Sequence, residues 1–207
     1  MIRNKIPNGL LAGLAALIVQ AHCHADDWPQ WGGPKRDCVW HEDGIVDTFA
    51  VQDLLPRVWS TAVGEGYSGP AVADGRVFLT DRIIEGELER LLCFDAENGK
   101  PLWKHEYFCR YTVSYPAGPR ATPVVDDDRV YFIGTQGHMF CMNAADGSIV
   151  WKKYFPDDYG TELPIWGMAA SPLVDGDKLI TLVGGTNNAL VVCFEKKNRP
   201  RTLAFAG

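Results

Sequence analysis

A chain of 207 residues has room for one domain or two small ones. Its 46% hydrophobic and 22% charged residues have the balance of a folded globular protein, which excludes general disorder. The net charge is −6 and no basic run occurs, so nucleic acid is excluded as a partner on electrostatic grounds. Seven Trp and 13 Pro point instead to a β-rich chain with frequent turns.

The chain opens on a targeting pattern. Arg3 and Lys5 give a positive start, and the ten residues Leu10–Val19 are apolar. A bilayer span needs roughly 20 such residues. Cys23 and Ala25 are small residues at the −3 and −1 positions of a cleavage point before Asp26. Residues 1–25 therefore read as a secretory signal peptide, with an uncleaved anchor as the alternative. A lipoprotein modification at Cys23 is disfavoured by Gln20 and His22. Losing residues 1–25 removes Arg3, Lys5 and no acid, so the mature charge falls from −6 to −8. That disfavours an anionic partner surface. The mature chain is expected to lack a transmembrane span and to be periplasmic or otherwise exported.

Residues 26–66 form an N-terminal segment that ends in a first strand contribution and carries Trp59. Repeats follow. Gly69–Asp81, Thr122–Gly134 and Ser171–Gly184 align, with Pro70, Pro123 and Pro172 spaced 53 and 49 residues apart. Each segment leads to a cysteine strand: LLCFDAENG, MFCMNAADG and VVCFEKKNR. Two continue into KPLW and SIVW, ending at Trp103 and Trp151. One unit reads strand, tight turn, strand, hairpin, strand, Asn/Asp-Gly turn, strand with Trp. Four short strands in about 50 residues is a β-propeller blade. The predicted fold is all-β, with about three four-stranded blades over residues 67–195 of a ring of seven or eight.

The turn residues suit this reading. Asp74-Gly75 and Gly176-Asp177 tolerate the left-handed backbone of a tight hairpin. Asp126-Asp127-Asp128 holds the matching place and reads as the same turn, because a calcium loop needs six or more oxygens in a fixed pattern. No metal site is predicted. Gly99 and Gly147 close the next hairpins, and Trp59, Trp103 and Trp151 are structural docking residues. Cys93, Cys141 and Cys193 share one repeat position. Neighbouring sheets lie roughly 10 Å apart and a disulfide needs Cα atoms within about 7 Å, so these thiols are expected free, buried and inert. Cys38 and Cys109 remain, and the sequence does not place them together.

The D-A-x-x-G-x-x-x-W pattern at Asp95, Ala96, Gly99 and Trp103 recurs at Asn143, Ala144, Gly147 and Trp151. It resembles the tryptophan-docking repeat of PQQ-type propellers. That superfamily includes quinoprotein alcohol dehydrogenases and the outer-membrane assembly lipoprotein BamB. The phrase WPQWGGP (Trp28–Pro34) and the blades themselves are similar to exported bacterial PQQ-binding-like β-propeller repeat proteins. The resemblance covers residues 28 to about 195.

Two departures stand out. Only about three blades fit, and open sheet edges invite association. After Glu195 the chain gives KKNRPRTLAFAG, with neither the Gly turn nor the Trp. Residues 196–207 read as an atypical or truncated tail, and the chain as an N-terminal fragment. A three-blade unit completed by self-association is the alternative.

The connections at residues 104–121 and 152–170 are long, aromatic and charged, which is where binding concentrates. Tyr67, Arg120 and Ala169 each stand three residues before the Pro of an inner strand, and Trp166 stands six before. All are expected near the mouth of the central channel. The leading expectation is a non-catalytic binding or scaffold module, with envelope proteins or a small ligand on the propeller face. The resemblance also implies a PQQ- and calcium-dependent dehydrogenase. There Trp166 would stack the cofactor, Arg120 would meet a PQQ carboxylate, and Tyr67 would line the site. Interblade filler and a loop brace are the plain readings of Trp166 and Arg120. An assembly factor resembling BamB is a third form. No CxxC, CxxCH, HExxH, vicinal cysteine pair or Gly-rich phosphate loop occurs. His41, His105 and His138 look isolated, His138 is expected at an exposed hairpin, and Asp157-Asp158 in a solvated loop.

Overall fold

Proline decides where each sheet begins. Pro fixes its own φ near −65° and keeps the preceding residue extended, so Gly69-Pro70, Thr122-Pro123 and Ser171-Pro172 feed straight chain into a strand. The computed structural model describes residues 26–44, 48, 55–113, 118–186 and 188–196, and the backbone of Leu203–Phe205. The signal-peptide reading of residues 1–25 lies outside the described residues.

Three four-stranded antiparallel sheets form among the described residues. The first holds β1 (Ala71–Ala73), β2 (Arg76–Ile83), β3 (Leu88–Asp95) and β4 (Pro101–Phe108). The second holds β5 (Val124–Asp126), β6 (Arg129–Ile133), β7 (His138–Asn143) and β8 (Ile149–Tyr154). A short helix follows, α1 (Phe155–Tyr159). The third holds β9 (Leu173–Asp175), β10 (Lys178–Leu182), β11 (Val191–Glu195) and β12 (Leu203–Phe205). Strands pair in chain order within each sheet. β1 neighbours β5 and β5 neighbours β9, so the first strands gather on the inner side as in a propeller. No helix among the described residues is long and apolar enough to cross a membrane.

Register repeats from blade to blade. Cys93 pairs with Trp103, Cys141 with Trp151, and Cys193 with Leu203. Two apolar layers fill the gaps. Phe78, Leu91 and Cys93 meet Val130, Phe132, Phe140 and Met142 between the first two blades. Tyr131, Ile133, Cys141 and Trp151 meet Leu179, Val192 and Phe194 between the next two. Each fully buried large side chain there contributes roughly 1.5–3 kcal/mol.

Directional bonds lock this packing at two radii. On the inner side the residue before each Pro reaches the next blade. The Gly69 N–H donates to Thr122 Oγ1 at 3.2 Å, and the Thr122 N–H donates to Ser171 Oγ at 2.9 Å. Farther out the tryptophans act. Trp59 Nε1–H donates to Ala96 O at 2.8 Å, and Trp103 Nε1–H to Ala144 O at 3.0 Å. Each indole lies flat against the following glycine, where φ is +71° at both Gly99 and Gly147. A Cβ on Gly99 would sit 2.5 Å from the Trp59 ring, and one on Gly147 2.6 Å from Trp103.

The third blade departs. Trp151 is buried, yet its indole N–H has no partner among the described residues. The matching carbonyl, Lys196 O, accepts the Tyr131 hydroxyl at 3.2 Å instead. Phe78 and Ile180 hold the Tyr131 position in the other blades, and neither has a hydroxyl to offer. The sequence predicts that this unit fails to finish, but β12 supplies a fourth strand. Backbone pairing needs only extended chain, whereas the anchor needs Gly and Trp, and this repeat has Arg199 and Leu203 there.

The N-terminal segment does something the sequence does not announce. Trp28 exchanges both backbone hydrogen bonds with Val72 of β1, at 2.8 and 2.9 Å. Pro29 O accepts the Val125 N–H of β5 at 2.8 Å, and Arg36 Nη1 donates to Pro172 O beside β9 at 3.1 Å. One strap thus crosses the inner edges of all three sheets and occupies edge groups that would otherwise pair with another chain.

Gly147→Ala combines a left-handed φ with a clash against an indole, and is expected to cost about 2 kcal/mol or more. Gly176→Ala, at φ +57° with open space around it, should cost about 1 kcal/mol from backbone strain alone. Urea unfolding of both variants against the parent checks the difference.

Candidate functional site

The residues before the inner strands converge as the repeat alignment implies. Pro119 O accepts the N–H groups of Tyr67 (2.7 Å) and Ser68 (3.1 Å), joining two blade entries. Gly118 makes this approach possible, since a Cβ there would meet Glu65 O at 2.6 Å. The Arg120 guanidinium lies over the Tyr67 ring at 5.2 Å, and its Nη1 donates to Gly118 O. Arg120 also lines a cavity of about 430 Å³ with Trp31, Arg36, Ser171 and Ile180. Arg36 stands 5.8 Å from the Trp31 ring. Tyr67 and Arg120 are thus together. Trp166 is half-exposed and outside that cavity lining, so it is not filler between blades.

Among the described residues this lining has two guanidiniums, an indole and the hydroxyls of Ser171 and Thr181, and no carboxylate. It suits the carboxylates and planar ring of an organic anion such as PQQ. It does not supply the six or more oxygens of a calcium site or a carboxylate base. Among the described residues no group of three or more His, Cys, Asp or Glu is placed to hold a metal ion. Asp126 and Asp127 sit instead against Lys196 Nζ, with Asp127 in the left-handed region of a two-residue turn.

A family model described as outer membrane protein assembly factor BamB matches residues 56–200. The chain belongs to this family of PQQ-like β-propellers. The quinoprotein alcohol dehydrogenase PedH of Pseudomonas putida is 26% identical over 147 residues, 68% of this chain and 23% of that protein. The quinoprotein ethanol dehydrogenase of Pseudomonas putida is 24% identical over 152 residues, 68% of this chain and 22% of its own length. The chain therefore spans less than a quarter of these relatives. The quinohemoprotein alcohol dehydrogenase of Comamonas testosteroni superposes over 84% of this chain and 26% of its own, with a TM-score of 0.61 and 18% identity. That likeness carries the fold.

Within this PQQ-like propeller, buried polar groups cluster between the first two blades. Glu89 is 1% exposed and accepts from Tyr107 Oη (2.6 Å), Tyr111 Oη (2.7 Å) and the Thr135 N–H (3.1 Å). Gly134 leaves room for this, because a Cβ there would collide with the Tyr107 hydroxyl. Burial, then the Glu89 charge, push the Tyr107 and Tyr111 phenols upward. Arg82 lies 3.8 Å over the Tyr111 ring and donates to Tyr111 O. Nearby, Arg90 grips buried Asp81 through Nε and Nη2, and the Gly64 N–H adds a third bond to that carboxylate. Both acids are well bonded, so they brace blades rather than offer a reactive oxygen.

Other sequence readings change here. Residues 104–108 are not loop but the end of β4, and residues 152–154 end β8. His138 is half-buried, stacked on Tyr154 with centroids 4.4 Å apart. Asp157 and Asp158 sit in the first turn of α1, where Asp158 accepts the Tyr154 N–H. His41 pairs with Asp37 at 3.1 Å. Cys93, Cys141 and Cys193 are free and buried, and burial pushes the first two thiols up to about 12. Cys38 is exposed and Cys109 buried, and both are free.

Glu89→Ala strands the Tyr107 hydroxyl and the Thr135 N–H and leaves the Tyr111 hydroxyl only Thr135 Oγ1, and is expected to cost roughly 3 kcal/mol. Glu106→Ala, removing an exposed partner of Lys104, should leave the unfolding midpoint unchanged. Chemical denaturation of the two variants tests whether the Glu89 network is a brace.

Proposed function

We propose that this chain is an exported β-propeller segment that works as a binding or scaffold module through its channel mouth, and that it is not catalytic by itself. Export rests on the positive start, short apolar core and small-residue cleavage point of residues 1–25. The observation that carries the binding role is the Tyr67–Arg120 pair beside a cavity with Trp31 and Arg36. The exposed Tyr67 and Trp31 rings stand there beside the half-buried Arg36 and Arg120 guanidiniums, residue types that dominate recognition surfaces. The family model's description favours envelope proteins, such as outer-membrane assembly partners, as what binds. The mature charge of −8 favours a partner that is not strongly acidic.

A second reading is supported by the two dehydrogenase relatives. PQQ would lie against Arg36 and Arg120, with its calcium and base supplied by residues beyond this lining.

A photo-crosslinking phenylalanine analogue at Tyr67 or Trp166 is expected to trap an envelope protein in cells, while one at Val150 on an outer strand traps none. Retention of PQQ through desalting, with alcohol-dependent dye reduction when calcium is added, would replace this reading with the dehydrogenase one.

A further inference from the structure

Radial sheets diverge away from the axis, so the outer strands of neighbouring blades leave a wedge between them. Between β4 and β8 this wedge encloses about 540 Å³, within the range of small-molecule sites, roughly 300–1,000 Å³. Its walls are His105 and Tyr107 from β4, His138 and Phe140 from β7, and Lys152 and Tyr154 from β8. The matching wedge beside the Trp59 segment is about 370 Å³ and is lined by Thr61, Ala62, Leu92 and Lys104, with no histidine among the described residues. The fold explains the gap but not its chemistry.

Three features describe what would fill it. The walls are aromatic: His105 meets Phe140 edge-on at 5.0 Å, and His138 lies over Tyr154. His105 Nε2 is buried without a hydrogen-bond partner among the described residues, a state that costs free energy until something bonds to it. Lys152 has no ion pair or hydrogen bond among the described residues, whereas Lys153 is held by Asp158 at 3.6 Å. Asp157 stands at the lip as the opposing charge.

We propose that this wedge binds a one- or two-ring aromatic carboxylate, its ring against the aromatic walls and its carboxylate on Lys152 and His105 Nε2. The site is on the rim, apart from the channel mouth, and stands whether or not the mouth binds a partner.

Proton linkage gives the site a pH signature. Burial and then Lys152 hold His105 below its usual range, against a smaller opposing effect of Glu106. Burial holds His138 down too, with Lys152 assisting and Glu89 and Asp157 opposing. The Cys109 thiol faces His138 Nδ1 at 4.0 Å, and burial pushes that thiol upward, so it stays protonated. A bound carboxylate favours imidazolium, so binding takes up protons and tightens as pH falls from about 8 to about 6.

The test titrates the full chain with benzoate and with benzamide, its uncharged counterpart, by ligand-observed NMR and calorimetry. Benzoate is expected to bind at least about tenfold tighter than benzamide, and tighter at pH 6 than at pH 8. Lys152→Met, at an exposed position that leaves the fold intact, should weaken benzoate about tenfold and leave benzamide unchanged. His105→Phe should reduce the pH dependence to the part that His138 alone supplies. Equal affinity for the two ligands, unchanged benzoate binding in Lys152→Met, or no binding of either at about 10 mM overturns the proposal.

Discussion

An indole N–H that reaches the next blade's carbonyl is the constraint on which this architecture rests. Apolar faces alone hold radial sheets together without fixing how far one slides along the other, because the hydrophobic effect has no direction. Trp59 and Trp103 supply the direction. Each bonds the residue that opens the following turn and lies flat on the glycine that closes it. The inner row of N–H···Oγ bonds from Gly69 to Thr122 and from Thr122 to Ser171 adds a second fixed point nearer the axis. Two points at different radii define the rotation between neighbouring blades. Ladder irregularities at Cys93/Phe94 and Cys141/Met142 fall beside the docking strands in both blades, so the bend that presents the indole is repeated as well.

A frame fixed in this way leaves function to its margins. Buried acids that in another protein would suggest chemistry are fully bonded here: Glu89 by two tyrosines and a backbone N–H, Asp81 by a two-pronged arginine. The exposed Tyr67 and Trp31 rings lie at the blade entries, and His105 Nε2, unbonded among the described residues, lies in the rim wedge. The third blade shows what happens when part of the code is missing. Its outer strand still pairs, but Trp151 finds no carbonyl among the described residues, and Tyr131 takes the one it would have used.

The sequence made the blades legible because their signals are local. Pro before an inner strand, Asn/Asp-Gly at a turn and Trp four residues after Gly each act within a few positions, and their recurrence at about 50 residues exposes the unit. The wet chemistry was less legible. The strap from Trp28 to Arg36 works through backbone groups and a carbonyl of Pro172, far away in the chain, and backbone bonds leave no mark on residue choice. His105 and His138 look isolated because they are 33 residues apart, though charged Lys104 and Glu106 alternate with the ring-bearing His105 and Tyr107. That alternation was the available signal that β4 runs on and turns His105 and Tyr107 toward the next blade. The meeting of Tyr67 with Arg120 followed from repeat position alone, whereas the separation of Trp166 from the nearby cavity needed the connection's actual path.

Hydrogen exchange at the indole N–H groups, followed by two-dimensional nitrogen-15 NMR, reports the docking bond itself. The Trp59 and Trp103 indole protons should exchange only as fast as the whole domain unfolds, and the exposed Trp40 indole should exchange at once. A Trp103 proton that exchanges as quickly as that of Trp40 would mean that the blades are not held together by this bond.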